Sequence, residues 1–308
     1  MPEGPEVRMN RDMLADTIQG KTLINIAPIT GKLERKGIPS IDEFKKYLPS
    51  KVESVRVRGK SLLIVLENGA GIHSTLGMSG WWYPQVSNPR ELTGKAYANG
   101  KLVEVKDVVL TAYKYSRVVL FTQESSHAVF CDMRNFGNMT CYTPEELQEN
   151  NPLKKLGIDL LNEAPHLDSW EDIWQAKKDR ASKGQLNKQI GELLLDQEFA
   201  CGLGNIYRAE VLYAARVLPS RKLRDLTNEE WGKIGAAAPI ILSIAYETSG
   251  VMDYPGWFLQ AFLGFHVADD HSYKHHLVYG RRQDPRGRPI VAATIGGRTM
   301  WYCPETQL

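Results

Sequence analysis

Pro2, Glu3 and Glu6 lie within one helical turn of the amino terminus, in the run MPEGPE. With Met1 removed, Pro2 is a free secondary amine. An α-amino group titrates at about 7.7–8.0 in free peptides, against about 10.4 for lysine, so it is a nucleophile near neutral pH. Amines attack sugar and carbonyl carbons and form Schiff bases. A secondary amine gives an iminium that cannot shed its charge and stays an electron sink, which suits opening a deoxyribose ring and eliminating its phosphates. Glu3 could protonate a ring oxygen as general acid. Glu6, one turn further on, could orient the group or shuttle protons. Against this stands a plainer reading, in which two carboxylates complement the positive end of a helix dipole. The spacing alone favours the plainer one.

The elements that would position these groups follow from the hydrophobic periodicity. Pro at a first-turn position, Val7, Leu14 and Ile18 on one face and Gly20 as a stop predict a helix over Pro5–Ile18. From Thr22 to about Tyr142 the period becomes that of strands. TLINIAPI, VESVRVRG, KSLLIVLENG, VVLTAYKYS and RVVLFTQES are β-branched runs separated by Gly, Asn and Ser, as in an antiparallel sandwich or barrel. A capping pattern, TPEEL (Thr143–Leu147), follows. The domain boundary is placed near residue 150. Beyond it SWEDIWQAKKD, KQIGELLLDQ, NIYRAEVLYAARV and NEEWGKIGAAAPIILSIAYE are predicted helices, and the chain ends in the strand-like runs RPIVAAT and RTMWYCP. The fold class is thus α+β: residues 1–150 a helix plus β-sandwich, residues 151–308 a helical domain.

A chain of 308 residues is comfortable for two domains, and 43% apolar with 24% charged content is ordinary for a globular protein. No apolar run approaches a membrane span, and the N-terminus lacks a signal-peptide pattern. The expected location is intracellular, in cytoplasm or nucleus. Cys131, Cys141, Cys201 and Cys303 lack paired spacing, which argues against a disulfide framework. Net charge is only +2. Its distribution says more, because Arg281, Arg282, Arg286, Arg288 and Arg298 crowd the last stretch against Asp284 and Glu305. Such a segment is either a phosphate-contacting surface or a solvated face.

Further motifs shift the balance. RGKSLL sets Lys60 after a glycine between two strand runs. LGMSG (Leu76–Gly80) and DMRNFG (Asp132–Gly137) follow at strand ends, and LLLDQEFACGLGNIYRAEVLY joins two helices through a Gly-rich turn. The ordered set resembles the formamidopyrimidine-DNA glycosylase and endonuclease VIII family of base-excision repair enzymes. The resemblance implies Pro2 as nucleophile on C1′ of a damaged nucleotide, Glu3 as the acid that opens the sugar, Glu6 assisting, and Lys60 contacting phosphate and sugar. Met78, Arg134 and Phe136 match the family's void-filling positions, which replace an extruded base; core packing is the competing reading for Met78 and Phe136. The family usually has a second arginine where this chain has Asn135. CGLGN matches the turn of the helix–two-turn–helix element, where Gly202 and Gly204 would let backbone N–H groups approach a phosphate. Asn205 is a good helix cap and could also bind that phosphate.

Many family members end in a zinc finger with two Cys-x-x-Cys pairs. Here DPRGRPIV has no cysteine, and in YCPETQ only Cys303 remains, with Thr306 opposite. His266, His271, His275 and His276 lie nearby, but their spacing fits no ligand pattern, so no metal and no cofactor is expected. RPIVAATIGGRTMWYCP reads as two strands joined by a tight IGG turn. This resembles the zincless finger of some members, at about residues 277–308, with Arg298 matching the arginine that reaches DNA at the lesion. Tyr254–Tyr279 would form a wall or lid of the base pocket.

The expectation is a bifunctional DNA glycosylase and abasic-site lyase of the endonuclease VIII-like branch, favouring oxidised pyrimidines and ending in β,δ-elimination. Its partner would be damaged DNA, duplex or single-stranded, with no membrane, and the protein would be a monomer. The alternatives are a catalytically inactive DNA-damage-binding protein on the same fold, or an enzyme using its terminal proline on small carbonyl substrates.

Overall fold

The computed structural model describes residues 2–85, 95–98, 101–104, 112–265 and 272–308. The chain divides into two compact units, residues 1–155 and 156–308.

The first unit opens with helix α1 (Gly4–Ile18). Pro5 sits in its first turn, where the missing N–H costs nothing, and Val7, Leu14 and Ile18 are buried. Strands follow: β1 (Thr22–Pro28), β2 (Ser50–Arg58), β3 (Ser61–Leu66), β4 (Gly71–Thr75), β5 (Gly80–Pro84), β6 (Lys95–Ala98), β7 (Lys101–Glu104), β8 (Ser116–Thr122), β9 (Ala128–Asp132) and β10 (Asn138–Tyr142). Short helices α2 (Gly31–Lys36) and α3 (Ile41–Lys45) lie between β1 and β2. Strands β6 and β7 pair as a separate hairpin, while the others run in the antiparallel order β10-β4-β3-β2-β1-β8-β9-β5. β1 and β2 pair only at Thr22–Lys51 and Leu23–Ser50. That corner splits the sheet into two four-stranded layers, whose facing side chains (Leu62, Ile64 and Ile72 from one, Ile26, Leu120 and Phe130 from the other) form a common core. This is a β-sandwich.

β3 is buried along its whole length. One face joins that core, while Leu63 and Val65 lie under Leu147 of α4 (Pro144–Glu149). The TPEEL pattern does cap α4: Thr143 Oγ1 accepts from Glu146 N–H at 3.2 Å, and Glu146 accepts in return from Thr143 N–H at 2.9 Å. In the predicted strand VVLTAYKYS, residues 108–111 lie outside the described ones, and Ala112 and Tyr113 are helical rather than extended.

The second unit holds β11 (Ile158–Asp159), α5 (Trp170–Asp179), α6 (Lys183–Asn187), α7 (Ile190–Leu193), β12 (Ala200–Cys201), α8 (Tyr207–Ala214), α9 (Asn228–Glu247), β13 (Tyr254–Pro255), α10 (Gly256–Leu263), β14 (Ser272–Tyr273), β15 (Val291–Ile295) and β16 (Arg298–Tyr302). Its core includes Trp174, Trp231, Tyr207, Leu212 and Ile241. Trp174 and Trp231 stack at 4.2 Å, and each indole N–H donates to the other's carbonyl at 2.8 Å. KQIGELLLDQ is not one long helix, since α7 spans four residues and a turn follows. Gly191, inside α7, packs closely on its surroundings: a Cβ there would meet Pro219 at 3.1 Å and Ile295 at 3.2 Å. No helix among the described residues is long and apolar enough to cross a membrane.

Candidate active site

In the first unit, Glu3 is the N-cap of α1 and is 0% exposed. Its backbone N–H donates to Glu6 Oε2 at 2.9 Å, which closes the first turn as a capping box. Glu6 therefore satisfies a helix end, as the plainer reading held, and in doing so it fixes the peptide that links Pro2 to Glu3. Glu3 is buried at the helix start, and its side chain completes the same box with the Glu6 backbone N–H. α1 itself is clamped by Asn10, also 0% exposed. The Asn10 amide donates to Trp82 O at 2.7 Å and accepts from Trp82 N–H at 2.9 Å.

Lys60 stands at the tip of the β2–β3 hairpin. Arg58 pairs with Ser61, and Gly59, at φ 53°, supplies the positive φ that a two-residue turn needs at its first position.

Met78 follows β4, and Arg134 and Phe136 follow β9. They are neither core nor scattered. Met78 is 37% and Phe136 53% exposed, which overturns the packing reading for both. The Arg134 guanidinium donates to Met78 Sδ at 3.6 Å and lies 5.8 Å from the centre of the Phe136 ring. Met133, 56% exposed, stands beside them and escaped notice in the sequence. Asn135, at φ 56°, turns away from this cluster: Oδ1 accepts from Lys32 N–H at 3.4 Å, at the start of α2. Only glycine fits at position 31, where a Cβ would come within 2.3 Å of that oxygen. A short residue in a left-handed turn does there what an arginine could not.

In the second unit the CGLGN turn joins α7 to α8. Gly202 has φ 109°, and its N–H is engaged by Gln197 Oε1 at 3.2 Å, so its part is conformational rather than that of a phosphate donor. Gly204 is buried and its carbonyl accepts from Arg208 N–H. Asn205 is not the cap expected of it, because Ile206 occupies that position. Its amide instead donates to Thr299 O at 3.0 Å and accepts from Arg208 Nη2 at 2.6 Å. The guanidinium of Arg208, wholly buried, also reaches the carbonyls of Gly191 and Ile295.

Thr299 follows Arg298, so the turn and the arginine are tied together. Arg298 is exposed at the start of β16, directly after Gly296 (φ 60°) and Gly297 (φ 70°) of the predicted two-residue hairpin. Ile295 and Met300 anchor that hairpin in the core, and Trp301 packs on Tyr279 at 4.5 Å. A buried carboxylate, Glu210, holds the segment that enters this region, accepting from the backbone N–H groups of Leu277, Val278 and Tyr279 and from the Tyr254 hydroxyl at 2.6–3.1 Å. Burial, first, and Glu210, second, push the Tyr254 phenol well up from its ordinary range.

The residues at the zinc-finger positions do not fit a zinc ion. The Asp284 carboxylate is already satisfied, accepting from the backbone N–H groups of Arg286 (2.9 Å) and Arg288 (2.8 Å), from Arg288 Nε (2.8 Å) and from the Tyr213 hydroxyl (2.9 Å). Cys303 is buried and its Sγ accepts from Thr306 Oγ1 at 3.3 Å. Among the described residues no three His, Cys, Asp or Glu side chains are grouped to hold a metal. His266 and His271 lie outside the described residues.

Comparison with known proteins matches these two halves separately. Residues 1–139 match the formamidopyrimidine-DNA glycosylase N-terminal domain, and residues 157–253 the formamidopyrimidine-DNA glycosylase H2TH domain. A formamidopyrimidine-DNA glycosylase of Bacillus cereus is 30% identical over 312 residues, covering 100% of this chain and 99% of the relative. The crystal structure of the MutM (Fpg) protein from Thermus thermophilus superposes with a TM-score of 0.68 at 25% identity, over 99% of this chain and 98% of that one. The wild-type Lactococcus lactis Fpg, solved with DNA containing an oxidised pyrimidine, has the same fold, with a TM-score of 0.72 at 21% identity over 99% of each chain. With both domains matched in order and full-length coverage, the chain belongs to the formamidopyrimidine-DNA glycosylase family.

Proposed function

We propose that the protein is a bifunctional DNA glycosylase and abasic-site lyase of base-excision repair. The observation that carries this is the first turn of α1, where a buried Glu3 carboxylate adjoins Pro2 and Glu6 fixes the peptide between them. With Met1 removed, the Pro2 nitrogen attacks C1′ of the damaged nucleotide, and the bond from C1′ to the base breaks, the base leaving with a proton. Glu3 protonates the ring oxygen O4′, the sugar opens, and C1′ and the Pro2 nitrogen form an iminium. Loss of a C2′ proton into that electron sink expels the 3′ phosphate. A second elimination expels the 5′ phosphate, and water releases the remnant from Pro2. Lys60 would contact phosphate and sugar beside the lesion. Met78, Arg134 and Phe136 would fill the space of the extruded nucleotide. Asn205, Gly204 and Arg298 would hold the backbone and the lesion site.

The finger supports a zincless, endonuclease VIII-like subtype, because hydrogen bonds to Asp284 and Cys303 occupy the places of the two metal knuckles. Oxidised pyrimidines are the favoured substrates on that reading, while the names of the curated relatives favour ring-opened purines. Borohydride trapping tests the activity and the substrate class. Met1-free protein is incubated with duplexes carrying thymine glycol, formamidopyrimidine, oxidised guanine or an abasic site. A covalent band with thymine glycol supports the pyrimidine reading, and one confined to the purine lesions reverses it. No band on any duplex leaves only the inactive damage-binding protein.

A further inference from the structure

We infer that Asp132 is a positioning residue that locks the Met78 loop and the Arg134–Phe136 loop into one wedge. The inference rests on the reading of those three side chains as void fillers. It adds a residue that touches neither DNA nor the reacting atoms.

Asp132 ends β9 and is 1% exposed. Its carboxylate lies between the two loops. Oδ1 accepts from Ser79 Oγ at 2.5 Å, next to Met78, and from Arg134 N–H at 3.2 Å. Oδ2 accepts from Gly137 N–H at 2.7 Å, next to Phe136. Ser79 Oγ accepts in turn from Arg134 N–H at 2.9 Å, which closes a triangle. Arg117 Nε holds the Asp132 carbonyl at 2.8 Å. Neighbours of Met78 and Phe136, and the backbone of Arg134 itself, thus converge on one buried carboxylate.

The backbones of the two loops also abut. Gly77, at φ 62°, lies so close to the other loop that a Cβ would meet Phe136 C at 2.5 Å. Each loop therefore depends on the other for its shape. A wedge that enters a base stack must hold its shape against the restacking of the bases, and preorganisation by buried hydrogen bonds is what supplies that rigidity. A carboxylate is the only side chain of this length that accepts on both oxygens. An amide at 132 would turn an N–H₂ toward an N–H donor.

The test uses the full-length, Met1-free protein and the variants D132N and S79A. Two readouts are compared. One is excision of a damaged base from duplex DNA against cleavage of a preformed abasic duplex, where the base is already gone. The other is the fluorescence of 2-aminopurine placed opposite a reduced abasic analogue, which reports the state of the orphaned base without requiring any excision. In D132N, damaged-base excision should fall about tenfold or more, since extrusion costs a few kcal/mol, while abasic cleavage changes by no more than about twofold. The 2-aminopurine signal should also drop. S79A keeps the carboxylate and should shift both readouts the same way by less, which covers an unfolded D132N. Equal losses on damaged and abasic duplexes, or unchanged fluorescence in both variants, would overturn the proposal. If the wild type excises no base, the catalytic reading fails while the fluorescence still decides the role of Asp132.

Discussion

Asn10 and Trp82 are joined like two paired strand residues: the amide of one, on α1, both donates to and accepts from the backbone of the other, on β5. The pair fixes the helix that follows Pro2 and Glu3 to the strand that begins just after the Met78 loop. Asn10→Ala leaves a buried N–H and a buried carbonyl without partners, so it should cost about 2–4 kcal/mol of stability. A lower urea midpoint at unchanged m-value is the expected result. An unchanged midpoint would mean that water replaces the amide and that α1 is held by its apolar face alone.

Proline at position 2 acts as a nucleophile only as the terminal residue. A variant that keeps an extra residue before Pro2 converts its nitrogen to an amide and should give no borohydride-trapped product, while still binding abasic DNA. Pro2→Gly, with Met1 removed, should weaken trapping without abolishing it, because a primary amine reacts but is less well placed. Full trapping by the extended variant would assign the Schiff base to the added residue's own amine or to a lysine, with Lys60 the first to examine.

How much of this was legible before folding depended on distance along the chain. The α1 boundaries, the Thr143 cap and the β2–β3 and β15–β16 hairpins could be read because each signal lies within a few residues. The length of α7 could not, because the apolar run KQIGELLLDQ carries no local stop signal after Leu193. Asn205 looked like a helix cap because its partner Thr299 is 94 positions away. Asp132 stood in a motif quoted for its neighbours, and only the fold reveals Ser79, 53 positions earlier, on its carboxylate. Asn135 looked like a lost contact, and the helix start that it caps is 103 positions away.

Arg298 sits on a hairpin whose next carbonyl is held by Asn205, so its guanidinium is presented by a fixed backbone. Arg298→Ala should lower excision of damaged bases about tenfold, with abasic cleavage reduced by much less, as expected for a contact made where the base is extruded. Equal losses would make Arg298 a general phosphate contact. A steeper dependence of binding on salt in the wild type than in the variant would support the same conclusion.

The thiols should be chemically quiet. Burial pushes Cys131 and Cys141 up to about 12, and the thiolate is the reactive form. Neither should react with iodoacetamide at pH 8 in the native protein, and both should react after denaturation. Labelling of either in the folded state would show that the sandwich opens on the timescale of the reaction.

The finger should respond to acid rather than to chelators. Burial by itself would raise the Asp284 carboxyl, but the Arg288 amide and guanidinium, the Tyr213 hydroxyl and the Arg286 amide outweigh it and hold the group below its ordinary 3.8. A depressed carboxyl contributes stability that is present above the unfolded value of about 3.9 and is lost as pH falls through the folded one. EDTA should therefore leave both the melting temperature and the activity unchanged. D284N should lower stability at pH 7 by about 1–3 kcal/mol and flatten the decline below pH 4 relative to the wild type. A variant that melts like the wild type at pH 7 and keeps its acid limb would show that the finger does not depend on the Asp284 carboxylate.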